Sequence, residues 1–379
     1  MHLGIFGGGQ LGRMLALVGR SLDIRCRVFD PDPDACAGEV ADLVTGAYDD
    51  PVALKRFATG LDLATYEFEN VPLPAVRFVA RRLPLFPPAP ALKIAQDRLV
   101  EKTFLQSLGI PVAPFAPVDR RSDLDAAARH TGLPAILKTR HAGYDGKGQW
   151  VLHDKREIDP TWKAVVSVST SNHSPKVTGR SRRLILEGRI PFQRELSLIS
   201  VSAKGGKTRF YPLVETHHQR QILRWSIAPA PASARGLQRK AETYASKVIH
   251  ALRYVGVLTI EFFQVEDRLI ANEIAPRVHN SGHWTIEGAE TSQFENHLRA
   301  LVGLPLGSTA PRGCSAMINL IGEVKHSSDL LSIPSTHLHL YGKKPRPGRK
   351  IGHVTLRADD PATLQTRLRR LRRYLPDSP

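Results

Sequence analysis

The chain opens with a pattern that predicts a strand, a tight turn and a helix, in that order. Residues 3–6 form a short apolar run typical of a buried strand, and three glycines follow at 7, 8 and 9. Apolar residues at 11, 15 and 18 then repeat at helical spacing. Strand-like runs at 25–29 and 61–66 continue the alternation, which predicts a parallel, doubly wound sheet of an α/β protein.

The glycines of this turn are compatible with two interpretations. Gly7, Gly9 and Gly12 match the dinucleotide fingerprint, and Asp30 ends the next strand. Glycines at a helix N-terminus let backbone amides approach an anion closely, whatever the rest of the ligand is. A phosphate site and a merely tight turn both stay open, and a nicotinamide-dependent dehydrogenase is a hypothesis about the first thirty residues only.

Composition limits the class of protein. A chain of 379 residues predicts two or three domains, and 42% hydrophobic with 23% charged residues is typical of a folded globular protein. Without a signal-type start or a long apolar run, we expect a cytoplasmic protein with no membrane partner. The net charge of +17 suits anionic substrates or nucleic acid, but 7% aromatic residues and no basic-aromatic strand motif argue against nucleic acid.

Two strand-like runs late in the chain, residues 257–263 and 269–275, are separated by a short turn. If the hairpin closes about Asp267, Glu261 and Glu273 are each six residues from its centre and face each other. Carboxylates opposed at about 5 Å repel each other, so we expect a cation between them. Hard oxygen ligands suit Mg²⁺ that carries nucleotide phosphates. The alternative is a twisted surface hairpin whose glutamates splay apart.

The segment after this hairpin is too polar, and too rich in glycine and proline, to continue the strand. It carries Arg277, His279, Asn280 and His283 beside the predicted metal. Such a loop could hold a small oxyanion and orient its attack. A zinc site at His279 and His283 is the weaker interpretation, because the helix and the glutamate of the protease motif are absent.

Lys138 ends a predicted strand, and a glycine-rich segment follows it before the next strand at 150–152. Together they predict a hairpin with a long tip that can act as a lid. Asp145, Gly146, Lys147 and Gly148 offer backbone amides and one ammonium group to a triphosphate. The spacing is not that of a P-loop.

Residues 343–350 group five cations around a proline- and glycine-containing turn. A solvated basic loop is the default interpretation of such a run. The functional alternative is a grip on a sugar phosphate, in which Arg and Lys meet the phosphate dianion.

These motifs occur in an order that is informative. The glycine-rich loop, Glu195-Leu-Ser-Leu, Glu261-Phe-Phe, the stretch 272–285 and Arg346-Pro-Gly-Arg-Lys-Ile-Gly-His follow one another along the chain. This order resembles the 5-(carboxyamino)imidazole ribonucleotide synthase family of the ATP-grasp superfamily. The resemblance implies an N-terminal pre-ATP-grasp domain, an ATP-grasp domain with a small lid subdomain at about 115–187, and a small C-terminal domain. The expected domain boundaries are 1–96, 97–310 and 311–379.

The resemblance also implies a reaction and its site residues. Family members join bicarbonate to 5-aminoimidazole ribonucleotide with ATP and Mg²⁺, and form homodimers. The nucleotide would be lined by Arg98, Lys138, Gly143, Tyr144, Asp145, Gly146, Lys147, Gly148, Gln149, Glu187, Gly188, Arg189, Ile190, Glu195, His218, Asn272 and Glu273. Glu261 and Glu273 would hold the metal, and the catalytic residues would be Arg277, His279, Asn280 and Lys147. The ribonucleotide would contact Gln10, Leu11, Glu69, Lys343, Arg349 and Lys350.

Some residues depart from the family pattern. Gly188 stands where a larger residue is usual in the adenine hinge, and residues 167–183 form a longer connector than usual. His217 and His218 are both candidates for one role, of which the register favours His218. Two alternatives remain: a related ligase with another acceptor, such as glycinamide ribonucleotide with formate, and a basic nucleic-acid-binding protein.

Overall fold

The computed structural model describes residues 1–141, 148–168, 183–230, 236–324 and 327–375. Gly143, Tyr144, Asp145, Gly146 and Lys147 of the glycine-rich loop lie outside these ranges, and so does most of the connector at 167–183. Among the described residues, none of the helices combines the length and the apolar character that spanning a bilayer requires.

The N-terminal part is built around a parallel sheet, as the alternating pattern predicts. Its elements are β1 (His2–Phe6), α1 (Gln10–Ser21), β2 (Arg25–Asp30), β3 (Asp42–Thr45), α2 (Pro51–Ala58), β4 (Leu63–Tyr66) and α3 (Leu73–Ala80). The strand order is β3-β2-β1-β4, and every pair is parallel. The short strand β3 is not predicted from the sequence, because its four residues are only partly buried or exposed.

Successive residues of β1 serve the two faces of this sheet. Leu3 and Ile5 pack with α1 on one face, whereas Phe6 packs with α2 and α3 on the other. This alternation follows from the two-residue period of a strand, and it places helices on both faces. The loop between β1 and α1 therefore lies at the carboxyl edge of the sheet.

A smaller antiparallel sheet forms the next layer. It follows α4 (Ala89–Ala95) and α5 (Arg98–Ser107) in the chain. Its strands are β5 (Phe115–Val118), β6 (Ala135–Thr139), β7 (Gln149–Leu152) and β8 (Leu184–Gly188), and the helices between them in sequence are α6 (Asp123–Thr131) and α7 (Ile158–Val168). The order is β5-β8-β6-β7. Lys138 pairs with Gln149, so the predicted hairpin around the glycine-rich loop is confirmed. Asp97 caps α5 by accepting hydrogen bonds from the amides of Leu99 and Val100, also as predicted.

A large antiparallel sheet holds the rest of the chain together. Its strands and flanking helices are β9 (Arg194–Ser202), β10 (Thr208–Phe210), β11 (Val214–Gln219), β12 (Ile222–Ala228), α8 (Gln238–Leu252), β13 (Gly256–Val265), β14 (Arg268–Ala275), α9 (Thr285–Gly288), α10 (Gln293–Val302), β15 (Cys314–Ile321), α11 (Ser327–Leu331), β16 (Thr336–Leu340), β17 (Lys350–Ala358) and α12 (Pro361–Leu371). The order is β14-β13-β9-β11-β12-β15-β17-β16, with β10 on β9. Because β12 pairs with β15, the C-terminal strands extend the sheet across residue 310. The domain boundaries themselves stay a prediction.

Candidate active site

Glu261 of β13 lies directly opposite Glu273 of β14, as the sequence predicts. The turn that joins the strands differs from the prediction: Val265 pairs with Arg268, so the loop is not centred on Asp267. An uninterrupted ladder from this turn would place Glu261 opposite Asn272, because each step back along β13 is matched by one step forward along β14. An irregularity in the ladder corrects that register.

A β-bulge leaves Asn272 as the extra residue of β14. The ladder pairs Phe262 with Ala271 and then Glu261 with Glu273. The bulge shifts the register by one residue, which turns Glu273 to the same face as Glu261. The opposed carboxylates therefore depend on the bulge as well as on the hairpin.

The electrostatics of Glu261 are those of a crowded carboxylate. Burial and the negative charge of Glu273 raise the pKa of Glu261 to about 7, although His218 and a hydrogen bond from Asn272 act in the opposite direction. Glu195 adds a further negative charge nearby. A cation bound here would remove the repulsion.

His218 lies beside these carboxylates and pairs with Glu195. Its Nδ1 lies 2.8 Å from Oε2 of Glu195. Burial opposes protonation of His218, but the hydrogen bond to Glu195 and the charge of Glu261 raise its pKa. His217 instead stacks on Trp225, with ring centroids 4.9 Å apart. The structure thus brings together the predicted pair Glu195 and His218 and turns His217 to another contact.

His279 is a neutral imidazole whose hydrogen bonds indicate one tautomer. Burial and the positive charges of Arg277 and Lys350 hold its pKa well below the usual value. The amide of Ser281 donates to Nδ1 at 3.3 Å, so Nδ1 accepts and Nε2 carries the proton. Nε2 lies 3.6 Å from Oε1 of Glu261. His279 therefore presents an N–H donor beside the carboxylate pair.

Asn280 is held by a reciprocal amide pair with Asn319 of β15. The Asn280 Nδ2 donates to Asn319 Oδ1 at 3.0 Å, and Asn319 Nδ2 donates to Asn280 Oδ1 at 2.6 Å. Asn319 Nδ2 also donates to the carbonyl of Leu223 at 2.9 Å. This arrangement fixes the Asn280 amide and leaves its second Nδ2 hydrogen for a ligand.

Arg277 pairs with Glu69 of the N-terminal part through Nε and Oε2. Burial acts to raise the pKa of Glu69, but the charge and hydrogen bond of Arg277 prevail and lower it. Nη1 of Arg277 also donates to the carbonyl of Val278 at 3.0 Å. The structure therefore places Glu69, predicted to contact the ribonucleotide, next to the predicted catalytic arginine.

Lys138 and Glu187 form the core of the predicted nucleotide site. Lys138 Nζ lies 2.9 Å from Oε2 of Glu187, and Lys102 Nζ lies 3.1 Å from the same oxygen. Burial alone would raise the pKa of Glu187, but the two lysines lower it to about 2. Arg98 lies at the start of α5, and its Nη1 donates to the carbonyl of Thr139 at 2.8 Å.

Gly188 has a packing reason for its small size. A Cβ at this position would lie 2.7 Å from the carbonyl oxygen of Thr131, which is backbone and cannot turn away. The next two residues of the predicted hinge, Arg189 and Ile190, leave β8, and the Arg189 amide donates to the carbonyl of Pro134. The departure at Gly188 is thus accommodated by close contact between β8 and the end of α6.

The N-terminal glycine turn binds carboxylates of the protein itself. Gly9 and Gly12 donate their amides to Glu67 at 2.5 and 2.6 Å, and Gly8 donates to Asp30 at 2.7 Å. These amides are the groups that a dinucleotide pyrophosphate would need. The structure therefore favours the tight-turn interpretation of this loop and gives the dehydrogenase hypothesis no support.

The C-terminal basic turn lies over that same loop. Lys343 Nζ donates to Oε1 of Gln10, which begins α1, and Lys344 lies 3.2 Å from Asp34. Arg349 and Lys350 are partly exposed on the same turn. Gln10, Lys343 and the neighbouring Leu11 are thus brought together, although they are more than 330 residues apart in sequence.

Sequence reasoning missed several residues that this site uses. Glu101 and Lys102 follow Arg98 at spacings of three and four, which places all three on one helix face. Asn319 is a single amide inside the apolar run 314–321. A charged inward helix face and a polar residue in a buried strand were the available signals.

Three family models match successive parts of the chain. They describe a ribonucleotide synthetase preATP-grasp domain over residues 1–96, an ATP-grasp domain over 103–294, and a phosphoribosylaminoimidazole carboxylase C-terminal domain over 315–367. The N5-carboxyaminoimidazole ribonucleotide synthase of Pseudomonas aeruginosa is 50% identical over 368 residues, which is 97% of this chain and 98% of that protein. The chain belongs to the N5-carboxyaminoimidazole ribonucleotide synthase family.

Solved structures of this synthase family have the same fold. The enzyme of Thermus thermophilus is 56% identical with a TM-score of 0.91, over 98% of each chain. The Aspergillus clavatus synthase, solved with ADP and 5-aminoimidazole ribonucleotide, is 31% identical with a TM-score of 0.88, over 99% of this chain and 98% of that one. The predicted ATP-grasp fold, with an N-terminal parallel sheet and a C-terminal domain, is confirmed.

Proposed function

We propose that this protein joins bicarbonate to the N5 amino group of 5-aminoimidazole ribonucleotide and cleaves ATP to ADP and phosphate, a step of purine biosynthesis. The opposed Glu261 and Glu273, beside the loop that carries His279, are the observation that carries the proposal. The names of the synthase relatives support it. A homodimer and a cytoplasmic location stay predictions.

The donor set fits Mg²⁺. Across the described residues, no group of three or more His, Cys, Asp and Glu side chains is arranged to hold a metal ion. Two carboxylates alone suit Mg²⁺, which usually keeps waters and phosphate oxygens as its other ligands. Glu261 and Glu273 would therefore hold an ion shared with ATP. When bound, Mg²⁺ offsets the negative charge of the transferred phosphoryl group.

Lys138 and Glu187 are assigned to the nucleotide. Glu187 Oε1 is buried and accepts no hydrogen bond from any described residue, whereas Oε2 is held by two lysines. A buried acceptor without a donor is costly, and a bound ligand can satisfy it. Lys138 would supply positive charge to the phosphates, and Glu195 with His218 would complete the nucleotide pocket.

Arg277, His279 and Asn280 are assigned to bicarbonate. Arg277 carries a fixed charge, His279 offers Nε2–H, and Asn280 keeps one amide hydrogen after pairing with Asn319. Three donors aimed at one small anion can hold an oxygen in line with the γ-phosphorus of ATP. Attack of that oxygen releases ADP and gives carboxyphosphate. Water must be kept away because this intermediate hydrolyses readily.

The amine of the ribonucleotide completes the reaction. It attacks the carboxyl carbon of carboxyphosphate and expels phosphate, or it adds to carbon dioxide that carboxyphosphate has already released together with phosphate. On either route the amine loses a proton. Gln10, Leu11, Glu69, Lys343, Arg349 and Lys350 are assigned to this substrate. The sugar phosphate carries two negative charges, which Lys and Arg side chains of the C-terminal turn can bind.

The deciding experiment measures ADP release with ATP, Mg²⁺ and bicarbonate, with and without 5-aminoimidazole ribonucleotide. We expect release to depend on the ribonucleotide. Replacing it by glycinamide ribonucleotide, and bicarbonate by formate, should give no activity. If ADP release ignores the ribonucleotide, the proposed function is wrong.

The metal role is tested by Glu273→Gln, which removes the charge but little volume. We expect at least a 100-fold loss of turnover, since a lost metal ligand costs several kcal/mol and each factor of ten is about 1.4 kcal/mol. Glu266→Gln, in the exposed turn of the same hairpin, is the control and should keep full activity. Normal turnover and metal dependence in Glu273→Gln would contradict the assignment.

A further inference from the structure

Two consecutive residues of α5 contact the backbone on either side of Glu273. Glu101 accepts a hydrogen bond from the amide of Ile274 at 2.6 Å, and Lys102 Nζ donates to the carbonyl of Asn272 at 3.2 Å. Both side chains are buried, with exposed fractions of 3% and 1%. Ionisable side chains buried this deeply require hydrogen-bond partners, and each of these two has one in the backbone of β14.

β14 needs such partners because it lies at the edge of the large sheet. Its inner side pairs with β13, and its outer side has no neighbouring strand among the described residues. The Ala271 amide donates to the carbonyl of Pro111 at 2.7 Å. Together with Glu101 and Lys102, this contact satisfies three backbone groups of β14 between residues 271 and 274. The outer edge is therefore held by α5 and the segment that follows it.

The contacts fall on the bulge that sets the carboxylate register. Asn272 is the extra residue, and without it Glu261 would face Asn272 rather than Glu273. A shift of one residue turns a side chain to the opposite face of the sheet. Lys102 binds the bulged residue itself, and Glu101 binds the residue immediately after Glu273. The two anchors thus bracket the second carboxylate.

We propose that Glu101 and Lys102 are positioning residues that hold the β14 bulge and thereby keep Glu273 opposite Glu261. The inference rests on the proposed function, because that function assigns divalent metal to the two carboxylates. Neither residue is among those assigned to the metal, the bicarbonate or the ribonucleotide. Their effect passes through the backbone at Asn272 and Ile274.

Lys102 has a second contact that Glu101 lacks. Its ammonium also lies 3.1 Å from Oε2 of Glu187, which Lys138 contacts as well. Loss of Lys102 therefore disturbs both the nucleotide site and β14, which carries Glu273, whereas loss of Glu101 disturbs β14 only. This difference predicts separable effects on two ligands.

The first test compares Glu101→Met, which keeps volume but lacks an acceptor, with Glu101→Gln, whose amide oxygen can accept the same N–H. Mn²⁺ binding to the full-length protein with ADP is measured by electron paramagnetic resonance, and ADP binding without metal by calorimetry. Partners that orient metal ligands typically matter by 10–100-fold. We expect Glu101→Met to weaken Mn²⁺ binding at least tenfold and Glu101→Gln less than threefold, with ADP affinity unchanged in both.

Leu105→Ala on the same helix is the matched control for helix packing, because Leu105 is fully buried in the core that also contains Ile274, but its apolar side chain makes no hydrogen bond to the β14 backbone. It should leave Mn²⁺ affinity within threefold. Hydrogen exchange of the Ile274 amide gives a second readout: it should accelerate in Glu101→Met but not in Glu101→Gln or Leu105→Ala. If Glu101→Met does not fold, the same comparison is made between Glu101→Gln and Glu101→Ala.

Lys102→Met should weaken both ADP and Mn²⁺ binding at least tenfold. Mn²⁺ affinity unchanged in Glu101→Met, or equally weakened in Leu105→Ala, would overturn the positioning role. Failure of the metal assignment looks different, because Glu273→Gln would then leave Mn²⁺ affinity unchanged, whereas failure of the proposed carboxylation would appear only as ADP release that ignores the ribonucleotide. All of these measurements omit bicarbonate and the ribonucleotide, so their outcome is independent of which acceptor the protein uses.

Discussion

Several side chains of the site are held so that one polar group of each remains for a ligand. The Ser281 amide donates to Nδ1 of His279, so Nε2–H remains for a ligand. Asn319 accepts one hydrogen of the Asn280 amide, so the second hydrogen remains. Fixed donors of this kind need little reorganisation when charge develops on a substrate oxygen. We therefore expect the supporting residues to affect bicarbonate more than nucleotide.

Asn319→Asp tests this expectation. A carboxylate cannot donate to Asn280 Oδ1 or to the Leu223 carbonyl, so both acceptors lose their donor. An unsatisfied buried group costs about 1–3 kcal/mol, which corresponds to roughly a 5- to 150-fold loss of kcat/KM for bicarbonate. The KM for ATP should change little. Met317→Leu on the same strand is the control, and a loss there of similar size would point to strand packing instead.

The raised pKa of Glu261, about 7, predicts how metal binding depends on pH. A protonated Glu261 cannot bind metal, so Mg²⁺ affinity should increase from pH 6 to pH 8 and binding should release protons. In the metal-free protein the folded state retains a proton that the unfolded chain loses near 4.5. The stability contributed by this group is therefore present at low pH and is lost as the pH rises through 7.

Calorimetry in buffers of different ionisation enthalpy measures this proton release. Glu101 titrates in the same window, because burial and the charge of Glu273 raise its pKa to about 8. Comparison with Glu101→Gln isolates the contribution of Glu261, because this variant removes the other titrating group and keeps both metal ligands. Proton release that disappears in Glu101→Gln would assign the titration to Glu101 instead.

At the scale of the element, the hairpin shows what the sequence can and cannot predict. Glu261 faces Glu273 as predicted, but the strand register set by the turn is off by one residue and a bulge compensates. The bulge is invisible in local sequence, because the groups that bind it belong to α5, 170 or more residues away. Helix caps such as Asp97 are predictable, because their hydrogen bonds are local.

The hinge at the end of β8 gives a prediction at this scale. In Gly188→Ala the added Cβ would lie 2.7 Å from the Thr131 carbonyl oxygen, so β8 must move away from α6. Overpacking of this kind costs about 1–3 kcal/mol, and we expect roughly tenfold weaker ADP binding by calorimetry. Gly205→Ala is the control, since a Cβ there meets no atom within 4 Å. Equal ADP affinity in both variants would exclude a role for the hinge contact.

Over the whole molecule, residues from distant parts of the chain meet at one place. Glu69 of the N-terminal part contacts Arg277, and Asn319 beyond residue 310 contacts Asn280. Composition could indicate the excess of positive charge but not where it lies, because a basic run is usually solvated. The contact between Lys343 and Gln10 shows that part of this charge faces the N-terminal sheet. Only tertiary structure brings these residues together.

Arg349→Ala tests whether this turn binds the ribonucleotide phosphate. A hydrogen bond to a charged group contributes about 1.5–3 kcal/mol, so we expect the KM for the ribonucleotide to rise roughly 10- to 100-fold while the KM for ATP stays unchanged. Arg346→Ala is the matched control, because Arg346 is exposed on the same turn and its substitution removes the same charge. Raised salt should weaken ribonucleotide binding in the parent protein more than in Arg349→Ala. If both variants raise the KM for the ribonucleotide equally, the turn acts only through its net charge. An unchanged KM in both would mean that the turn is a solvated basic loop without a role in binding.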